Sequence, residues 1–255
     1  MKATIDWRSK LLAFGIHFAT TALLGACAAA LIFLVWFPHP FATMIGGTEL
    51  FLLVVGCDLV LGPLLSLVVF DRRKSRRALL VDYTVIGVAQ IAMMVYGVYI
   101  VAGTRPVYVA FSKDRFEIVT ARDLTDEELA AARSPEYRTL PLTGPRYVWI
   151  RITTADYQDA LFEALKGNEE HQRPRFYAPF DAGFEQMRRN AKTIDVLEKK
   201  FPQLTAPLES AVRESGIPRE RARWFPVHHR NGFWTAIVDQ DGGEPLSYVG
   251  IDPYG

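Results

Sequence analysis

Apolar residues follow three rhythms along this chain. The first is unbroken: from Leu11 to Phe70 there is no Lys or Arg and the only acids are Glu49 and Asp58, and from Ala78 to Gly103 the only charge is Asp82. A bilayer crossing needs about 20 predominantly apolar residues. Three segments reach that length, about 11–37, 50–70 and 79–101. Pro38-His39-Pro40 stops the first, the charged run Asp71–Arg77 the second, and Gly103-Thr104-Arg105-Pro106 the third. The second and third rhythms, alternation and helical spacing, begin after residue 104.

There Pro106–Phe111 and Arg115–Ala121 read as β-strands joined through Ser112-Lys113-Asp114. Thr125–Arg133 reads as a short helix and Tyr147–Ile152 as a strand. Thr153 or Thr154 can cap a helix that runs to about Lys166 and ends at Gly167-Asn168. Phe184, Met187, Ala191, Ile194 and Leu197 recur at helical spacing, which predicts one long helix capped by Asp181. Another helix is expected from Ala206 to Ser215. Arg223–His229, Phe233–Val238 and Leu246–Ile251 predict a closing β-meander, with Asn231-Gly232 as its first turn and Asp241-Gly242-Gly243 as its second. The expected architecture is a membrane protein: a three-helix transmembrane bundle over residues 1–103, then a mixed α+β domain with antiparallel strands over residues 104–255.

Charge adds the orientation. Lys2, Arg8 and Lys10 precede the first span, Pro38–Glu49 holds no Lys or Arg, and the next loop carries Arg72, Arg73, Lys74, Arg76 and Arg77. The positive-inside rule then puts the N-terminus and the second loop in the cytoplasm, and everything after Gly103 outside, in the periplasm. The averages conceal this division. The chain has 255 residues with 29 basic and 28 acidic side chains. Residues 104–255 hold 21 basic and 23 acidic ones, which argues against nucleic acid as a partner. Both cysteines, Cys27 and Cys57, lie in the spans, so the outer domain has no disulfide. Leu24-Gly25-Ala26-Cys27 has the look of a lipoprotein cleavage box. The apolar run continues to Phe37, however, past the 7–15 residues of a signal-peptide core. Gly25, Ala26, Ala28 and Ala29 read instead as small residues that allow close helix packing.

Asp58 is the main candidate for function. A carboxylate in mid-membrane costs roughly 2.5–3.5 kcal/mol even on lenient scales, so it should be neutral or paired and face protein. Gly62 and Pro63 follow a turn later, and proline withdraws a backbone donor from the carbonyl near Leu59. Either Asp58 serves a partner-binding or gating site, or it packs against Gln90, Thr84 or Tyr83 of the third span. Asp82 sits close enough to the basic loop for a local ion pair with Arg77 or contact with lipid headgroups. An intramembrane aspartyl protease is the least supported reading. The two acids differ in depth by on the order of 10 Å, whereas a shared proton needs about 3 Å, and Cys57 rather than glycine precedes Asp58. His228-His229 point to opposite faces of a strand and cannot easily share a metal. Asp239-Gln240-Asp241-Gly242 fits a turn better than a calcium loop. No cofactor motif stands out.

One further pattern is a resemblance. Leu11–His17, Gly56–Leu65, Asp82–Ile86, Gln90, Tyr96–Tyr99, Arg105-Pro106-Val107, Phe111 and Asp114-Arg115-Phe116 together resemble the type IV pilin accessory proteins, the TfpX/TfpZ or FimB-like group, over roughly residues 10–120. The resemblance implies a non-enzymatic protein of the bacterial inner membrane. It implies a chaperone-like or assembly role for type IV pilin subunits, with membrane lipids and other pilus assembly proteins as further partners. A three-span bundle could hold a pilin's apolar helix through Asp58, Gly62, Pro63, Gln90, Gly25 and Ala29. The alternative is a membrane-anchored sensor or regulator whose periplasmic domain binds a ligand.

Overall fold

The computed structural model describes residues 7–71 and 74–255. Helix α1 (Trp7–Ala30) continues as a π-helix over Leu31–Trp36. A single turn, α2 (Phe41–Met44), precedes α3 (Gly47–Val69) and α4 (Arg76–Thr104). The three long helices are each long and apolar enough to cross a membrane. In lipid their backbone polar groups bond within each helix, since no water is present to take them. The ends are built locally. Ser75 Oγ accepts the Ala78 N–H at the start of α4, and Lys74 Nζ donates to the Val69 carbonyl at the end of α3.

Helix α3 lies against both of the others through glycines. A Cβ on Gly25 of α1 would lie 2.9 Å from Val55, and one on Gly97 of α4 would lie 2.3 Å from Val54. These positions must stay small for the helices to approach this closely. Phe33 and Phe51 add an edge-to-face contact at 5.0 Å.

The second unit is an eight-stranded mixed sheet. Its strands are β1 (Pro106–Ser112), β2 (Arg115–Thr120), β3 (Arg146–Ile150), β4 (Tyr177–Ala178), β5 (Lys192–Thr193), β6 (Ala222–His229), β7 (Gly232–Asp239) and β8 (Ser247–Val249). The order is β4-β3-β1-β2-β6-β7-β8, with β5 paired to β6. Most ladders are antiparallel, as the hairpin signals predict. The β1–β3 and β2–β6 ladders are parallel. These two need crossovers, which helices α5 (Asp126–Ala130), α6 (Tyr157–Leu165), α7 (Phe184–Asn190), α8 (Ile194–Lys200) and α9 (Thr205–Glu214) help to supply. A sheet covered on both faces buries its central strands completely, and every residue of β1 is buried.

Alternation along the strands sorts these side chains. Val109, Phe111, Phe116, Ile118, Phe225, Val227, Ala236 and Val238 form one core with Phe180 and Met187. There the Phe111, Phe116 and Phe225 rings meet edge to face at 5.1–5.8 Å. Tyr108, Ala110, Val119 and Val148 form a second core with Phe176 and Tyr177. Ala222, Trp224 and Ile237 form a third under Ile194, Leu197, Leu208 and Val212. The connection after the first span joins this unit: His39–Ile45 groups with Thr104–Gly255, and Phe41 and Met44 are buried in the Phe111–Phe225 core. Phe41 meets Tyr248 edge to face at 5.6 Å. Two further crossings, by α3 and α4, would return the chain to the side of the membrane on which that connection lies, in keeping with a total of three spans.

Two local expectations need correction. The long helix capped by Asp181 is broken: α7 ends at Asn190, and Lys192 and Thr193 pair with Trp224 and Arg223 before α8 begins. The helical spacing holds within each piece, but a backbone ladder takes the residues between. Thr153 and Thr154 do not cap α6 either. Asp156 reverses the arrangement, accepting from the Thr153 N–H and hydroxyl, and α6 starts at Tyr157.

Two outcomes are expected for the full chain in detergent. Phe41→Ala should lower unfolding stability by about 3–5 kcal/mol, the usual cost of emptying a buried aromatic site; an unchanged denaturation midpoint would show that Phe41 is not part of the sheet core. The Arg133 guanidinium, followed by the Thr153 hydroxyl, holds the Asp156 carboxyl well below the usual carboxylate range. A depressed folded-state pKa gives stability that is present above the unfolded value, about 4, and lost as pH falls. The melting temperature should therefore drop on going from pH 6 to pH 3, and Asp156→Asn should drop less. Equal acid sensitivity in both proteins would refute the assignment.

Candidate functional site

Asp58 is the middle residue of α3, and the bundle buries it to 8% exposure. It lines a cleft of about 180 Å³ between α1 and α4. Helix α1 contributes His17, Thr20, Thr21 and Leu24, and α4 contributes Gly87, Gln90, Ile91 and Met94. Leu24 and Ile91 are exposed, so the cleft opens on the outer surface of the bundle. A Cβ added to Gly87 would touch nothing within 4 Å, which leaves room along that wall.

The polar side chains around the cleft form a relay between all three helices. Gln90 Oε1 can only accept, so His17 Nε2–H donates to it at 2.6 Å. His17 Nδ1 then accepts from the Ser66 hydroxyl, in a close contact that joins α1 to α3. Gln90 Nε2 donates to the Asp58 carbonyl at 3.5 Å. Gly62 makes this possible, because a Cβ there would lie 1.8 Å from Gln90 Nε2. Pro63, also buried, sits beside it in the helix. The Thr20 hydroxyl donates to the Ile16 carbonyl. Among the described residues, the Asp58 carboxyl receives no hydrogen bond from Gln90, Thr84 or Tyr83, the partners expected from sequence. The Tyr83 hydroxyl is likewise buried, with no hydrogen bond to any of the described residues.

Of the six residues singled out from the sequence for partner binding, the structure brings together Asp58, Gly62, Pro63 and Gln90. Gly25 lies instead in the contact between α1 and α3, and Ala29, one turn further along α1, is half-buried. His17 and Ser66 are the functional candidates that sequence reasoning missed. The signal available was a lone histidine within an otherwise charge-free run.

The remaining sequence candidates have structural places. Asp82 makes its local ion pair with Lys74, at 2.7 Å, rather than with Arg77. It is thus engaged at the start of α4 and does not join Asp58 in a carboxyl dyad. Arg76 and Arg77 are exposed in the first turn of α4, while Arg72 and Arg73 lie outside the described residues. Arg105 donates to the Pro141 carbonyl and Pro106 opens β1.

The sheet unit has its own hollows. One of about 300 Å³ is lined by Lys113, Arg115, Glu117, Glu170 and His228, among others. These polar side chains pair with one another: Lys113 with Glu170 at 2.7 Å, His228 with Glu117 at 2.7 Å and Arg115 with Glu117 at 3.5 Å. His228 and His229 face opposite ways, as their adjacency in a strand requires: His228 bonds Glu117 on the neighbouring strand, whereas His229 is buried and accepts from the Asn231 N–H. Asp239 and Asp241 are both held by Arg221 around the turn. No group of three or more potential metal ligands occurs among the described residues.

The family model for the fimbrial assembly protein FimB matches residues 5–46. The fimbrial assembly proteins of serogroups I and E1 from Dichelobacter nodosus are each 29% identical over 234 residues, spanning 89% of this chain and 90% of the relative. That of serogroups C1 and C2 is 35% identical over 118 residues, spanning 46% of this chain and 90% of the relative. No solved structure matches. A relative matched at 35% identity over nine-tenths of its length, together with the matched FimB segment at the first span, leads to one assignment: the chain belongs to the family of FimB fimbrial assembly proteins.

Proposed function

We propose that this protein is a non-enzymatic accessory of type IV pilus biogenesis, which binds pilin subunits in the inner membrane and stabilises them before assembly. The N-terminus is cytoplasmic and the sheet unit periplasmic in this reading, supported by the basic residues that flank the first span and fill the second loop. The observation that carries it is the open cleft between α1 and α4. A bundle closed on itself would fill that space with its own side chains, whereas here exposed Leu24 and Ile91 frame an opening whose floor is a buried acid. A pilin's apolar helix, lying in the same bilayer, is an occupant of suitable shape and polarity. Membrane lipids and other assembly proteins complete its surroundings. The sensor reading has less support in the hollow of about 300 Å³, because its polar side chains already bond one another.

A photoreactive residue in place of Ile91 should crosslink to pilin in intact membranes, and one in place of Val68, which is also exposed, should not. Gly87→Leu should plug the cleft without disturbing the bundle, since a side chain there meets open space, and should cut the Ile91 crosslink several-fold. Equal labelling from both positions, or labelling untouched by the plug, would remove the cleft from the mechanism.

A further inference from the structure

We infer that the cleft selects its occupant by a buried hydrogen-bond donor: it takes a transmembrane helix of another protein that presents a donor, best a cationic one, at the depth of Asp58. This rests on the reading above, in which that helix belongs to pilin. The argument is an account of donors and acceptors around the cleft. His17 spends both ring nitrogens, on Ser66 and on Gln90. Gln90 spends its oxygen on His17 and its nitrogen on the Asp58 carbonyl. The Thr20 hydroxyl donates within α1. Two side chains are left over: the Thr21 hydroxyl on α1, and Asp58, a residue more than nine-tenths buried whose carboxyl is bonded by none of the described residues.

Hydrocarbon offers nothing to satisfy such a group. A wholly apolar helix in the cleft would bury the carboxyl further and leave it unpaired, which is costly. A helix with a donor opposite Asp58 would complete it. The relay assists by holding Gln90 against Gly62, with its amide nitrogen on the Asp58 carbonyl rather than on the carboxyl. The cleft therefore discriminates by chemistry as well as by fit, favouring helices that carry a polar residue at mid-depth over the many that do not.

The test uses the full-length protein in native membranes with its pilin, a photoreactive residue replacing Ile91, and identification of the captured protein by mass spectrometry. Asp58→Leu should lower pilin capture about three- to tenfold, the range spanned by interhelical hydrogen bonds of about 0.6–1.4 kcal/mol. Asp58→Asn, which keeps an acceptor, should fall between the two. Replacing one donor in the captured helix by Leu should give the same loss, and combining it with Asp58→Leu should add nothing further. The purified Asp58→Leu protein should unfold at or above the wild-type temperature, because it loses an unpaired buried group. A fall of several degrees would reveal an internal partner and overturn the inference. Pilin capture indifferent to Asp58 would overturn it while leaving the pilin reading in place. Asp58-dependent capture of a different membrane protein, cancelled by removing a donor from its helix, would uphold the inference and overturn the pilin reading. Capture of lipid or of a second copy of this chain alone, or of nothing, would overturn the inference.

Discussion

Lipid gives a polar side chain no partner, so every such group in the three spans must be satisfied by protein. The bundle is organised by this constraint. His17, Ser66, Gln90 and the Asp58 backbone join into one chain of hydrogen bonds that touches all three helices. The glycines serve it: Gly62 admits the Gln90 amide, while Gly25 and Gly97 bring the flanking helices close to α3. The Asp58 carboxyl stays outside this chain of hydrogen bonds and borders open space. Structural and functional polarity are thus separated within a few ångströms, the first satisfied internally and the second held ready.

The sheet unit answers to water rather than lipid, and solves its burial problem with two faces. One face carries a continuous aromatic core, and the other is covered by two separate helical caps. Glu117 and His228 lie on the neighbouring strands β2 and β6 and satisfy each other at 2.7 Å. Ion pairs at the periphery, such as Arg219 with Glu198 and Arg221 with Asp239, tie short helices and turns to the frame. Exposed pairs of this kind contribute little individually, and the buried rings of β1, β2 and β6 hold the unit together.

Sequence made the three spans legible because charge disappears from them so completely, and Asp58 stood out against that background. Gln90 could be named as a neighbour of Asp58, but its attachment to the backbone carbonyl rather than the carboxyl depends on Gly62 and on His17, 73 residues earlier. Nothing local marks that partnership. Breaks in the sheet unit were hidden for a similar reason. Ala191 and Ile194 keep helical spacing with their neighbours, yet Lys192 and Thr193 are claimed by β6 from across the fold. The short helix that begins after Thr125 could be read from adjacent residues, whereas the caps expected from Thr153 or Thr154 and from Asp181 could not. Pairings that depend on distant segments could not, and the parallel ladders belong to that class.

The place of Phe41 and Met44 bears on how the protein is made. Both leave the ribosome before any strand of the sheet exists, and their core forms only after two further helices have been inserted. Folding of the sheet thereby becomes a test of correct insertion. A chain that missed one crossing would strand this short loop and the sheet in different compartments. Each would then expose apolar surface of the kind that invites aggregation. Two side chains of a seven-residue connection thus tie completion of the sheet's core to insertion of the helices that follow it in the chain.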